Sequence, residues 1–211
     1  MENLLFLFND TDPSIPTKIL LSRLTPLRLQ KALRYKSDAD RRICAWSEIL
    51  LFYALHEVNA EESEVVWDGK PHLTDGKYHF SLSHTGDQIA LLLAKSPCGV
   101  DIEIPHTIRE KKALCARLFT EKERAALLTD EDFFYAWTAK EAYVKYTGEG
   151  FSRPFSSFFL DFTENAVYDS KTEEKLASFA SFTAFDGTVG CACSNTSLHL
   201  NICLVTPEKL I

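Results

Sequence analysis

Three short stretches hold residues whose types and spacing suit chemistry. In Gly99-Val100-Asp101-Ile102-Glu103 two carboxylates stand two positions apart. Along a strand they would share one face, while Val100, Ile102 and Ile104 share the other. Neighbouring carboxylates repel unless a cation sits between them, and such oxygen donors suit Mg²⁺, which takes one or two carboxylates, waters and phosphate oxygens. A solvated acidic face on an amphipathic edge strand accounts for the same five residues. In Trp137-Thr138-Ala139-Lys140-Glu141-Ala142-Tyr143-Val144-Lys145, a helix would line up Trp137, Glu141 and Lys145 at i, i+4 and i+8, setting a ring, a carboxylate and a cation on one stripe. A surface helix with a Glu141–Lys145 ion pair, worth a few tenths of a kcal/mol, is the blander account. Ser81-Leu82-Ser83-His84-Thr85-Gly86 runs a strand into a turn and offers a hydroxyl and an imidazole to an anion. A hydrolase triad takes its members from separated positions, and no GxSxG motif is present, so phosphate contact is the functional reading of this pair. A structural histidine at a turn is the alternative.

The elements that must position these residues follow from periodicity and punctuation. Residues 3 to 8 read as a strand, Thr25-Pro26 opens a helix, and a second helix runs from Ser37 or Asp38 to about Val58. A short strand at 64 to 67 precedes the Asp68-Gly69 turn. Three closely spaced strands then cover 79 to 83, 88 to 94 and 99 to 104, with turn signals at Thr85-Gly86-Asp87 and Ser96-Pro97. Thr120 and Glu123 form a capping box for a helix to about Leu128, and Asp130 or Glu131 starts another that ends near Tyr146, before Gly148 and Gly150. Strands are expected at 155 to 162, 178 to 185, 188 to 193 and 198 to 205. This order implies an α+β protein of two halves on a similar plan, 1–97 and 98–211.

The chain of 211 residues is long enough for one large domain or two small ones sharing a core, and its 45% apolar and 25% charged residues are ordinary for a globular protein. Disorder, collagen and coiled coil are excluded. No run reaches the roughly 18 apolar residues of a membrane helix, and Leu4 to Phe8, preceded by Glu2, is too short for an export signal. The six cysteines, at 44, 98, 115, 191, 193 and 203, are scattered as free thiols of a reducing compartment would be, and Cys191-x-Cys193 reads as two small buried hydrophobes. We therefore expect a cytoplasmic protein. A net charge of −7 argues against nucleic acid and anionic membranes as partners, yet residues 23 to 42 carry +5 against −12 for the rest. A solvated helix face or a dock for a small polyanion would each explain that segment.

Taken together, Gly99 to Glu103 and Trp137 to Lys145 resemble the motifs of the Sfp-type 4'-phosphopantetheinyl transferases, in the right order and separation. Gly69-Lys70-Pro71, Phe80 to Gly86 and the basic run from Arg28 to Arg42 are similar to weaker family elements. The resemblance implies a pseudo-twofold fold of two α+β lobes, a monomer, with the site in the cleft between them. It implies transfer of the 4'-phosphopantetheine arm of coenzyme A onto a serine of an acyl or peptidyl carrier protein, leaving adenosine 3',5'-bisphosphate. Asp101, Glu103 and Glu141 would hold Mg²⁺, with Mn²⁺ also suited to oxygen ligands. Arg28, Lys31, Arg42, Lys70, Ser83, His84, Lys140 and Lys145 would face the nucleotide and its phosphates. Glu141, Lys145 and His84 would serve the chemistry, Glu141 as proton acceptor, and Trp137 would orient Glu141. Leu114, Leu118 and Phe119 are apolar candidates for carrier contact, and ordinary core packing explains them at least as well. A Mg²⁺-dependent phosphohydrolase acting on coenzyme A-like diphosphates and a non-catalytic carrier-binding module are the competing readings.

Overall fold

The computed structural model describes residues 3–211; Met1 and Glu2 lie outside them. In chain order the elements are β1 (Asn3–Asn9), α1 (Thr17–Leu21), α2 (Pro26–Arg34), α3 (Asp38–Glu57), β2 (Val65–Val66), β3 (His72–Leu73), β4 (His79–Thr85), β5 (Gln88–Ala94) and β6 (Cys98–Glu103). They continue with α4 (Lys111–Leu118), α5 (Glu121–Arg124), α6 (Asp130–Thr147), β7 (Phe158–Asp161), β8 (Ala166–Asp169), β9 (Lys175–Thr183), β10 (Val189–Ser194), β11 (Leu200–Val205) and α7 (Pro207–Leu210). One sheet has the order β11-β1-β5-β4 and the other β6-β10-β9-β8-β7, with β2 and β3 as a separate pair. The fold is α+β.

Period-two alternation sorts the apolar residues of β1 and β5 between two cores. Phe6, Phe8, Ile89, Leu91 and Leu93 pack with Trp46, Leu50 and Leu55 of α3. Leu5, Leu7 and Leu92 face the other way and meet Val100, Ile102 and Ala192 of the second sheet. Both faces of β5 are therefore covered, which is why all seven of its residues are buried. On the far side of the second sheet, Cys191 and Cys193 join Ala139 and Tyr143 of α6 and Phe158 of β7. All six cysteines are free thiols and five are buried.

At the seam between the sheets β4 lies beside β6 without a backbone ladder. The hydroxyls of Ser81 and Ser83 instead accept hydrogen bonds from the backbone N–H groups of Val100 and Ile102. Two buried serines thus satisfy backbone donors that would otherwise be orphaned.

Several boundaries differ from the sequence-based expectation for local reasons. The chain passes from the first sheet to the second between β5 and β6, but β11 then returns to pair in parallel with β1. Residues 98–211 are accordingly not a self-contained half. The capping box at Thr120 and Glu123 is present, but its helix ends at Arg124, four residues early. Pro154 leads into a 3₁₀ turn at Phe155–Ser157, so the expected strand at 155 starts only at Phe158. Helices α1, α4 and α7 and strands β3 and β8 lie outside the sequence-based expectation. Phe119 is buried in the core beside α6, and Leu114 and Leu118 pack partly buried against it.

Candidate active site

The site forms where α6 crosses the face of β6. That crossing needs Gly99, since a Cβ there would collide with the Ala142 carbonyl oxygen and the Tyr146 backbone nitrogen. Because Gly99, Asp101 and Glu103 share one face of β6, the approach of α6 turns both carboxylates towards Trp137, Glu141 and Lys145. Thr129 caps α6 and Gly148, with φ +74°, ends it in the left-handed region that glycine adopts without strain.

A cavity of about 340 Å³ is lined by His84, Asp101, Glu103, Glu141, Lys145 and Leu82 among others. Asp101 Oδ1 accepts hydrogen bonds from Ser83 Oγ and from Lys145 Nζ, each at 2.7 Å. Lys145 Nζ also reaches the Leu82 carbonyl oxygen at 3.5 Å, and Thr85 Oγ1 donates to Glu103 Oε2 at 3.4 Å. Asp101 Oδ2 and Glu141 Oε1 are buried with no hydrogen-bond partner. Burial pushes the Glu141 carboxyl up, the Asp101 charge adds to this, and Lys145 opposes it. Burial also raises Glu103, again reinforced by Asp101, while the neighbouring Trp137 and Thr85 side chains work against the rise. Surrounding structure and the Lys145 ammonium hold the His84 imidazole below the usual histidine range.

The donor set fits a hard, oxygen-seeking cation. Three carboxylates share one cavity, two of their buried oxygens are orphaned, and burial reinforced by mutual repulsion raises two of the groups; a positive charge would offset these penalties. Among the described residues no three His, Cys, Asp or Glu side chains are already drawn together tightly enough to grip an ion.

Two further cavities adjoin this one. The first, about 220 Å³, is lined by Arg28, Lys31, Tyr35, Trp67, Pro71 and His84 among others. The second, about 530 Å³, includes Gly69, Lys70, Pro71, Leu82, Glu141 and Lys145. His84 is common to the basic and acidic cavities, Glu141 and Lys145 to the acidic and largest ones, and Pro71 to the basic and largest ones. Together they make a trough with a basic end and a carboxylate-lined middle.

Other sequence-assigned residues divide. Arg28 is buried, donates to the Cys44 carbonyl oxygen at 2.8 Å and stacks 4.0 Å from the Trp67 ring, and Lys31 stands exposed beside it. Lys70 Nζ donates to the carbonyl oxygens of Cys98 and Tyr146, both at 3.1 Å, tying the loop after β2 to β6 and the end of α6. Burial pushes its ammonium below the usual lysine range. Ser83 lines the acidic cavity and donates to Asp101, so its hydroxyl orients that carboxylate.

Two assignments are corrected. Arg42 lines none of these cavities: its guanidinium grips Asp10 at 2.6 and 2.7 Å and donates to the Ile15 and Asp12 carbonyl oxygens, pinning the β1–α1 loop to α3. Lys140 points away from the trough and is fully buried, 3.0 Å from Glu123. A residue next to Glu141 lies about 100° round the helix from it, and that offset turns Lys140 into the core.

Sequence reasoning missed Trp67, which lies under Arg28, and Glu48. The Glu48 carboxylate accepts from Thr25 N at 2.8 Å and Thr25 Oγ1 at 2.7 Å, so it holds the start of the helix that carries Arg28 and Lys31. A lone glutamate within the apolar run of α3 was the available signal.

Residues 97–194 match the 4'-phosphopantetheinyl transferase superfamily. The chain is 32% identical over 146 residues to the 4'-phosphopantetheinyl transferase psf-1 of Bacillus pumilus, covering 64% of this chain and 62% of that protein. It is 26% identical to gsp of Aneurinibacillus migulanus over 87% of this chain and 81% of that one. To ffp of Bacillus subtilis it is 32% identical over 71% of each. The alignment to psf-1 thus spans under two thirds of that relative, whereas those to gsp and ffp span more. Motifs, ordering and overall likeness agree: this chain belongs to the 4'-phosphopantetheinyl transferase superfamily, among its Sfp-type members.

Proposed function

We propose that this protein transfers the 4'-phosphopantetheine arm of coenzyme A to a serine hydroxyl of an acyl or peptidyl carrier protein, releasing adenosine 3',5'-bisphosphate. The observation that carries the proposal is the trough, in which a basic cavity adjoins one that holds three carboxylates and Lys145. A nucleotide with a 3'-phosphate suits the basic end, where Arg28 and Lys31 supply positive charge and Trp67 an aromatic face. The diphosphate then lies over the acidic middle, where bare carboxylates alone would repel it.

Asp101, Glu103 and Glu141 would hold Mg²⁺ there. When bound, the ion supplies charge stabilisation to the diphosphate oxygens during phosphoryl transfer. The chain's own groups do the rest. Serine Oγ forms a bond to the phosphorus that bears pantetheine, the bond from that phosphorus to the bridging oxygen breaks, and the bisphosphate departs with the electron pair. Glu141 takes the serine proton. Lys145 stabilises the charge on the transferring group, and His84, at the junction of two cavities, contacts phosphate oxygen. Ser83 and Thr85 keep Asp101 and Glu103 oriented.

We read the protein as a cytoplasmic monomer of two related lobes, with residues 200–210 rejoining the N-terminal one. No helix among the described residues is long and apolar enough to cross a membrane. Incubation with coenzyme A, Mg²⁺ and a panel of apo carrier proteins tests the activity: one carrier should gain the mass of a phosphopantetheine. Bisphosphate release without any carrier would support the phosphohydrolase instead, and coenzyme A or carrier binding without turnover would support the binding module.

A further inference from the structure

Lys140 is the charged residue of the Trp137–Lys145 motif that does not face the trough, and its surroundings are unusually complete. Its ammonium has three N–H groups, and three acceptors meet it: Glu123 Oε1 at 3.0 Å, the Phe155 carbonyl oxygen at 3.0 Å and the Phe158 carbonyl oxygen at 3.2 Å. The Phe158 and Phe119 rings lie 4.7 and 5.5 Å from it. Glu123 is equally occupied, since Oε1 also accepts from Leu160 N at 2.9 Å and Oε2 from Thr120 N at 2.6 Å. Both side chains are 0% exposed.

A fully buried ion pair is a poor source of net stability, because losing the hydration of two charges offsets most of their attraction and an apolar pair of similar volume does as well or better. What such a pair does impose is geometry. This one ties four segments together: α6, the turn at Phe155–Ser157, the start of β7, and α5. Two links lead from it to the carboxylate cavity. The next residue along α6 is Glu141, whose Oε1 has no hydrogen bond of its own, so the rotation of the helix sets where that oxygen lies. The Phe155 ring packs 5.6 Å from the Trp137 ring, and Trp137 lines the carboxylate cavity together with Glu103.

We propose that Lys140, through its buried pairing with Glu123, is a positioning residue that sets the rotation of α6 and the seat of Trp137, and thereby the spacing of Glu141 and Glu103 around the cation they would hold. This rests on the transferase reading above. The residue stabilises an arrangement, and the reaction is carried by groups it never touches.

The test uses the full chain with Lys140→Met and Lys140→Met/Glu123→Gln, the second of which removes both charges and keeps an amide oxygen near Leu160 N and Thr120 N. Thermal unfolding, Mn²⁺ binding read from water proton relaxation, and kcat and KM for coenzyme A are measured for each. The single variant should lose thermal stability and the double variant should regain it. Expected for both is Mn²⁺ affinity about 10- to 100-fold weaker and a fall in kcat of the same order, as when the supporting partners of metal ligands are removed. KM for coenzyme A should move little. A double variant that recovers stability, Mn²⁺ affinity and kcat together would overturn the proposal, leaving a merely structural pair. If the double variant does not fold, Phe155→Leu decides: it leaves the ion pair in place and severs the link through Trp137, so unchanged Mn²⁺ affinity there overturns the proposal. Mn²⁺ binding is read without turnover, so a wild-type protein inactive on every carrier would refute the transferase reading and leave this comparison intact.

Discussion

Two lysines on α6, five residues apart, each meet a carboxylate, and the two regions they serve behave oppositely. Around Lys140 and Glu123 every charged atom is matched, both side chains are excluded from water, and nothing further can bind. Around Lys145 and Asp101 the ion pair is shorter, 2.7 Å, yet Lys145 is 31% exposed and Asp101 Oδ2 is buried without a partner. A satisfied pair holds the architecture in place; an unsatisfied one beside a cavity is where a ligand belongs. Neighbouring residues of one motif thus divide between support and chemistry.

The largest expected effect falls on the unsatisfied region. Glu141→Gln should lower kcat for carrier modification by about 10³-fold, the scale for removing a preorganised charged group at a reacting centre. Quenched kinetics with a cognate carrier measures it, and a loss below about tenfold would remove Glu141 from the chemistry. Lys145→Met should cost about 10²-fold in kcat. It should also lower the melting temperature, because three carboxylates would then share the cavity without their ammonium. Added Mg²⁺ should raise that melting temperature more than it raises the wild type's; equal responses would break the link between the carboxylates and a cation.

Gly99→Ala separates the geometry of the crossing from its charges. Forcing β6 and α6 apart should destabilise the fold by about 2 kcal/mol in urea unfolding, the scale for overpacking a tight interface. Unchanged stability would mean that the helix tolerates a shift the contacts forbid.

The smallest effect is a pH dependence. Glu141 binds its proton more tightly in the folded protein than an ordinary carboxyl does. Its contribution to stability is therefore fully present below the unfolded carboxylate pKa and is lost as pH rises through the raised folded value. The wild type should gain melting temperature on acidification across that window relative to Glu141→Gln, which should be the more stable of the two near neutral pH. Parallel pH profiles would show that the carboxylate is not strained.

The limits α6 was expected to have lie close to those observed because they are local: a capping threonine, an acidic first turn and a left-handed glycine act within a few residues. The stripe of Trp137, Glu141 and Lys145 was legible for the same reason. The burial of Lys140 was half legible, since its 100° offset from the stripe follows from helix geometry, but the Glu123 that receives it comes from another helix. Arg42 was not legible at all: its partner Asp10 lies in a different element, and a basic run reads alike whether it is solvated or paired. Strand β8 is four residues long and draws its order from its neighbours β7 and β9.

Composition, periodicity and punctuation by themselves determined the α+β class and the main helices and strands, because those properties depend on residues near one another in the chain; that Asp101, Glu103 and Glu141 belong to one set was implied by the family resemblance. Which of the basic residues face the trough, how the last strand returns to the first sheet, and which buried oxygens stay unpaired were decided only by the tertiary structure. A charged side chain finds its partner through space, and the pairing that decides between support and chemistry is a contact between distant parts of the sequence.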